Sequence, residues 1–138
     1  MALARRSPLP EASPRDRMGK LGVKAGVRAA LVGDFAFDAD FARELDEAGA
    51  AEGGQGPVDV LFYATTTCAE LTRIRALSRR LTQAGALWVV RPKGPATPVT
   101  EADTREAGLA AGLVDVKVVA FSATHSALKF VIPLARRR

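Results

Sequence analysis

The chain has very few of the residues that usually carry chemistry in a small protein. Its 138 residues include one cysteine, Cys68, and one histidine, His125. One cysteine excludes an internal disulfide and cannot by itself build a structural zinc site, so no metal centre is expected. His125 has no evident serine or carboxylate partner and reads as a surface turn residue rather than a general base. No uninterrupted apolar run approaches the roughly 20 residues that span a bilayer. Arg5 and Arg6 precede no apolar stretch, so a secretory leader is not expected. The default location is the cytoplasm, and no internal repeat is visible.

What is present is ordinary globular composition, 48% hydrophobic and 25% charged, with room for one domain. The net charge of +5 is unevenly placed. Residues 1–20 hold five basic and two acidic groups, and Arg136, Arg137 and Arg138 add three more positive charges. The remaining body has 12 basic against 13 acidic groups. The two Arg-rich ends therefore imply weak, non-specific anion binding rather than a dedicated nucleic-acid surface.

Residues 1–17, with Pro8, Pro10 and Pro14 and no apolar periodicity, read as a disordered basic tail. Met18 stands where the globular pattern begins and is a candidate translation start. The domain then spans 18–135, and 136–138 form a basic C-terminal tail. Arg28 to Gly33 suits a first buried strand. A helix follows, with Asp38 placed to cap it, Phe41 and Leu45 on one face, and Gly49 ending it. Residues 49–57 hold four glycines and a proline and read as a loop. Val58 to Ala64 is a second strand. Thr67 and Glu70 have capping-box spacing at the start of a helix carrying Leu71, Ile74, Leu77 and Leu81, with Gly85 closing it. Ala86 to Val90 is a third strand. Thr100 and Asp103 open a last helix, which Gly112 ends. Val114–Phe121 and Leu128–Leu134 form a closing hairpin. Alternating strands and helices predict an α/β sandwich of two or three layers, with about five mostly parallel strands and an antiparallel C-terminal pair.

Three stretches carry a resemblance. Lys20-Leu21-Gly22-Val23-Lys24-Ala25-Gly26, the run GALWVVRPKG at 85–94, and AGLVDVKVVAF with SALKFV together resemble a bacterial family of small proteins, domain-of-unknown-function family 3052, over roughly residues 19–132. The resemblance implies a compact Rossmann-like fold of the S-adenosylmethionine-dependent methyltransferase type, and it supplies no catalytic residues to carry over. Methyltransferases of this type use a glycine-rich turn after the first strand and an acidic residue ending the second. Here the first strand runs into Gly33-Asp34-Phe35-Ala36-Phe37-Asp38, with one glycine and two phenylalanines, which is no G-x-G-x-x-G turn. The next acidic residue, Glu52, falls in the glycine loop. The expectation is therefore no cofactor, with S-adenosylmethionine or a nucleotide as the alternative.

Ligands of open parallel sheets sit at the carboxyl ends of the strands. Those ends collect Asp34, Thr66, Thr67, Cys68, Arg91 and Lys93, a candidate anion or ligand site in which hydroxyls and helix-start amides face two cations. The plainer account is that the threonines cap a helix and the cations are solvated. Cys68 in a first helical turn should have a lowered thiol pKa, though no base accompanies it. Arg73, Arg75, Arg79 and Arg80 read as a solvated helix face, with a phosphate-rich partner as the alternative. The strands are apolar on both faces, and if the first three lie side by side their helices share one face. The uncovered face then needs either residues 18–27 or a second subunit, and a homodimer or another protein partner is expected. The reading is a non-catalytic binding or interaction module, with a divergent nucleotide- or S-adenosyl-binding or methyltransferase-like protein as the alternative.

Overall fold

The structure, a computed structural model, describes residues 14–137. Among these lie four α-helices, α1 (Pro14–Leu21), α2 (Phe41–Glu47), α3 (Ile74–Ser78) and α4 (Glu101–Ala110). Six strands, β1 (Arg28–Val32), β2 (Ala51–Glu52), β3 (Val58–Ala64), β4 (Leu81–Pro92), β5 (Val114–Ala120) and β6 (His125–Val131), form one sheet in the order β2-β1-β3-β4-β6-β5. The first four strands are mutually parallel, and β6 runs antiparallel to both β4 and β5. This is the mostly parallel α/β architecture with an antiparallel C-terminal pair that the alternation of elements predicts, with six strands rather than about five.

The sixth strand is β2, which the glycine-rich composition of residues 49–57 conceals. It pairs with β1 over two residues only, Arg28 with Ala51 and Ala29 with Glu52. Its position explains how both faces of the sheet are covered. From β1 the chain moves outward to β2 through α2, whereas from β3 it moves the other way to β4 through α3. Right-handed crossovers in opposite lateral directions put their helices on opposite faces. One face packs Leu61, Tyr63, Leu87 and Val89 against Leu71, Ile74 and Leu77. The other packs Val60, Phe62, Trp88 and Val90 against Phe41 and Leu45 of α2 and Met18, Leu21 and Val23 around α1. The expectation that the helices share one face is thus corrected. The chain supplies its own cover, and the geometric need for a second subunit disappears.

Four boundaries also move. Helix α1 begins at Pro14, so the domain starts before residue 18; residues 1–13 of the expected tail lie outside the described residues. At the other end, Leu134–Arg136 form a 3-10 turn that folds back on the domain rather than a free tail, and Arg138 lies outside the described residues. Asp38 does not cap α2: the cap position is Asp40, which makes no side-chain cap bond, and Asp38 is drawn instead into an ion pair. The helical stretch after Thr67 is a 3-10 turn (Cys68–Arg73) followed by α3, and it ends at Ser78 rather than Gly85. Gly85 lies inside β4, where the register shifts between Val58 and Val60 and a side chain would stand 3.0 Å from the Asp59 and Thr82 carbonyls. The capping boxes at Thr67–Glu70 and Thr100–Asp103 both form as their spacing predicts. Among the described residues no helix is long and apolar enough to cross a membrane.

Helix α4 seats on the sheet through Gly108. A Cβ there would stand 2.0 Å from Cε1 of Phe130, which is fully buried. Helix propensity alone favours Gly108→Ala by about 1 kcal/mol, but overpacking against a fixed ring costs about 1–3 kcal/mol. A lower denaturation midpoint is the expected result, and a raised midpoint would show that the ring yields.

Candidate functional site

The carboxyl ends of the parallel strands hold two separate clusters. On the face of α3, Thr67 opens the 3-10 turn and Glu70 folds back over it. One oxygen of the Glu70 carboxylate accepts the Thr66 amide at 2.7 Å, the Thr67 amide at 3.0 Å and the Thr67 hydroxyl at 3.2 Å. These donors hold the Glu70 pKa below the usual carboxylate range, the Thr66 amide contributing most. The amides that would have met an external anion are therefore satisfied by a carboxylate of the chain itself. Thr65, buried, turns its hydroxyl to the Val90 carbonyl.

The other residues of the expected cluster are dispersed. Arg91 is largely buried and faces Glu101 of α4 at 3.8 Å. Lys93 is exposed and held through its backbone amide to Thr124. Asp34 accepts the Ala36 amide at 2.8 Å, an Asx-type turn that shapes the loop after β1. The Cys68 thiol donates to the Asp103 carboxylate at 3.4 Å and lies 3.5 Å from the Pro98 carbonyl. The bond to Asp103 raises its pKa, with burial adding to the rise, where a helix-start position alone predicts the reverse. Asp103 is a capping residue of α4, and no feature of the Cys68 position in the sequence announces it.

On the other face the strand ends are plugged. Phe41 packs edge-on to Phe62 and Phe121 at centroid distances of 4.9 and 4.6 Å, and Phe35 stacks on it at 5.8 Å. Phe37 stacks on His125 at 3.7 Å, and the His125 Nδ1 meets the Thr124 hydroxyl at 2.8 Å. Burial pushes the imidazole below its ordinary pKa, Asp38 opposing and Lys93 adding to the shift. Arg17 closes this cluster from α1. Its guanidinium pairs with Asp38 at 2.5 Å and Glu44 at 2.7 Å, donates to the Phe121 carbonyl at 2.9 Å, and lies over the Phe41 and Phe121 rings. Desolvation opposes its charge, but the two carboxylates outweigh that and hold its pKa above the ordinary value. Reading residues 1–17 as a tail hid this residue altogether.

A third feature lies beside β1. Because β2 stops after two residues, the outer edge of β1 beyond Ala29 carries no strand, and a groove of about 740 Å³ opens there. Leu31, Val32 and Leu45 give it an apolar wall, and Asp46, Glu52 and Arg80 give it charge. Arg80 donates to the Gly54 carbonyl through Nη2, while its buried Nε has no hydrogen-bond partner among the described residues. Glu52 thus ends a strand rather than lying free in the glycine loop. It stands opposite Ala29, three residues before β1 ends at Val32, which at about 3.3 Å per residue is roughly 10 Å short of the carboxyl end of β1. Gly33 itself has φ of 96°, and a side chain there would lie 2.6 Å from the Ala64 carbonyl, so its glycine is required by the neighbouring strand. Among the described residues no group of three histidine, cysteine or carboxylate side chains converges as a metal site.

Neither a protein-family model nor a curated protein matches the sequence. Solved structures do match in fold. An S-adenosylmethionine-dependent methyltransferase from Aquifex aeolicus aligns with a TM-score of 0.64 at 17% identity, over 87% of this chain and 89% of that one. A TehB-like S-adenosylmethionine-dependent methyltransferase from Corynebacterium glutamicum gives 0.55 at 11%, over 87% and 88%. Fibrillarin from Aeropyrum pernix, in complex with natively bound S-adenosyl-L-methionine, gives 0.52 at 13%, over 85% and 74%. At these identities the likeness is one of fold, and the fold is that of S-adenosylmethionine-dependent methyltransferases.

Proposed function

We propose that this chain is a divergent, methyltransferase-fold protein that binds an S-adenosyl compound or a related nucleoside in the groove beside β1. The observation carrying the reading is the groove's lining. An apolar wall for a base stands beside two carboxylates suited to ribose hydroxyls or an ammonium group, with the Arg80 guanidinium supplying positive charge to the same lining. Neighbours of the same fold that use S-adenosylmethionine support the ligand class. The usual placement of that cofactor over the strand ends does not fit this chain. There is no glycine turn, Glu52 stands too low, and Phe35, Phe41 and Arg17 occupy the ground. Asp46, Glu52 and Arg80 are assigned binding alone, with no part in methyl transfer.

S-Adenosylhomocysteine or S-adenosylmethionine at about 100 times its dissociation constant would stabilise the fold by about 2.7 kcal/mol, a rise in Tm of about 5 °C or more for a domain of this size. Glu52→Gln is expected to abolish the shift and leave the unliganded Tm within about 1–2 °C, since Glu52 is exposed. Lys93→Ala, at the strand ends, is expected to leave the shift intact. A shift lost on Lys93→Ala and kept in Glu52→Gln would return the ligand to the strand-end cluster. No shift with any S-adenosyl compound or nucleotide would favour the second reading, a non-catalytic interaction module, for which the plugged strand ends are the supporting observation.

A further inference from the structure

The amino-terminal pole of the sheet, opposite the strand ends, gathers arginines from two distant parts of the chain. Arg75 and Arg79 come from α3 and its end, and Arg136 and Arg137 from the C-terminal 3-10 turn. The fold brings them together because β4 begins, α4 ends and β6 finishes at this pole. Arg79 and Arg136 share a cleft of about 340 Å³ with Ser78 and Gln83 over a floor of Leu81, Leu113 and Ile132.

The ion pairs formed among the described residues involve Arg17, Arg43, Arg91 and Arg105, and none involves these four. Three of the four are held by backbone carbonyls instead. Arg75 donates to Ala110 at 2.6 Å, Arg136 to Gly112 at 2.6 Å and Arg137 to Ile132 at 2.9 Å. A carbonyl fixes a guanidinium without neutralising it, and each arginine carries five N–H donors; Arg75, Arg79 and Arg136 are exposed and Arg137 is half-buried. Gly112 is part of the arrangement: with φ of 90° and no side chain, it leaves room for Arg136 Nη1, which a Cβ would meet at 2.2 Å. Capping of the α4 C-terminus accounts for Arg75 and Arg136 but not for Arg79, which is exposed and lies at the end of α3 instead.

We infer that this pole binds the phosphate backbone of double-stranded nucleic acid without reading its sequence. Pre-oriented, unneutralised guanidiniums spread over one surface match a row of phosphates. Single strands are held by exposed aromatic rings on which bases stack. Among the described residues this pole offers none: Trp88 and Tyr63 are buried, and the exposed Phe37 lies at the opposite end. The Arg-rich C-terminal end thus lies beside two arginines of α3 and its end, a juxtaposition that a regional charge total does not show.

The test is fluorescence anisotropy of the full chain with a labelled duplex of roughly 20 base pairs, repeated across salt concentrations. Micromolar binding at 50 mM salt is expected, with log K falling against log salt at a slope of about −3 to −4 for four phosphates neutralised. Arg79→Gln with Arg136→Gln should weaken binding at least about 10-fold and reduce the slope by about 2. Arg136→Lys with Arg79→Lys should recover most of it. Circular dichroism melts of each variant separate lost contacts from lost fold. The inference is overturned by no binding at 50 mM salt. It is equally overturned by binding that survives the glutamine pair but vanishes on Arg5→Ala with Arg6→Ala, or by equal affinity for poly-L-glutamate.

Discussion

Replacing Arg17 by alanine is expected to cost the fold about 3–5 kcal/mol, because it strands two carboxylates that the structure has taken out of water. The Arg17, Asp38 and Glu44 side chains are only 10%, 13% and 7% exposed. Against a total stability of about 5–15 kcal/mol for an ordinary domain, that loss is a large fraction. It is also directional, since Arg17 is the polar fastening of α1. Helix α1 and the segment after it contribute Met18, Leu21 and Val23 to the cover over Phe62 and Trp88. The single tryptophan reports on this directly: its indole N–H donates to the Leu21 carbonyl at 3.1 Å. Denaturant titration of Arg17→Ala followed by Trp88 fluorescence should show a lower midpoint and a red-shifted native spectrum. Arg17→Lys keeps the charge but loses the two-pronged geometry, so an intermediate loss is expected. Neutralising all three positions together, as Arg17→Leu, Asp38→Asn and Glu44→Gln, should recover much of the stability, since the cost lies in the unpaired charges. An Arg17→Ala protein within about 1 kcal/mol of the parent would show that the triad is hydrated and that α1 is held by its apolar residues alone.

Arg17 also marks where the sequence stops being legible. The central strands declare themselves because they are buried on both faces and therefore almost continuously apolar, as in Val58–Ala64 (Asp59 apart) and Ala86–Val90. The capping boxes declare themselves because Thr67 with Glu70 and Thr100 with Asp103 are local bonds at fixed spacing. Three things do not. A two-residue strand such as Ala51–Glu52 has no room for a period, and glycines on its C-terminal side hide it. A helix of mean polar character such as α1 shows its purpose only through partners 21 and 27 residues away. Crossover direction is the third: nothing in residues 35–57 says that α2 leads outward rather than inward. That single choice decides whether the second face is covered by the chain or by a partner. The candidate site suffered from the same blindness. Thr66 and Thr67 do meet an anion, but the anion is Glu70, and the same Glu70 that signals the helix start fills the site that the start was read as offering.

Phe41→Ala is expected to destabilise the fold by about 3–5 kcal/mol, and the way the loss spreads to neighbours tests what fills the strand ends. Phe41 is fully buried where α2, the loop after β1 and the turn after β5 converge. Truncation removes two edge-on aromatic contacts, with Phe62 and Phe121, and one cation–π contact, with Arg17. It leaves a void that Phe35 is placed to enter, since that ring already stacks on Phe41. Phe37 is more than a third exposed, and Phe37→Ala should cost under about 1 kcal/mol. The double variant Arg17→Ala with Phe41→Ala should lose less than the sum of its parts, because each removes the other's partner. Equilibrium denaturation of the parent, the three single variants and the double variant measures all of this. Strict additivity would mean that ring and guanidinium do not share one cluster, and the strand ends would then be a loosely packed surface open to a ligand. Sub-additivity means that an internal aromatic and ionic plug stands at the strand ends, where open parallel sheets generally take their ligands. Phe41→Ala then carries a second readout. If the plug alone bars the strand ends, the variant should gain a thermal response to S-adenosyl compounds that survives Glu52→Gln. If the groove beside β1 is the binding place, the response remains dependent on Glu52.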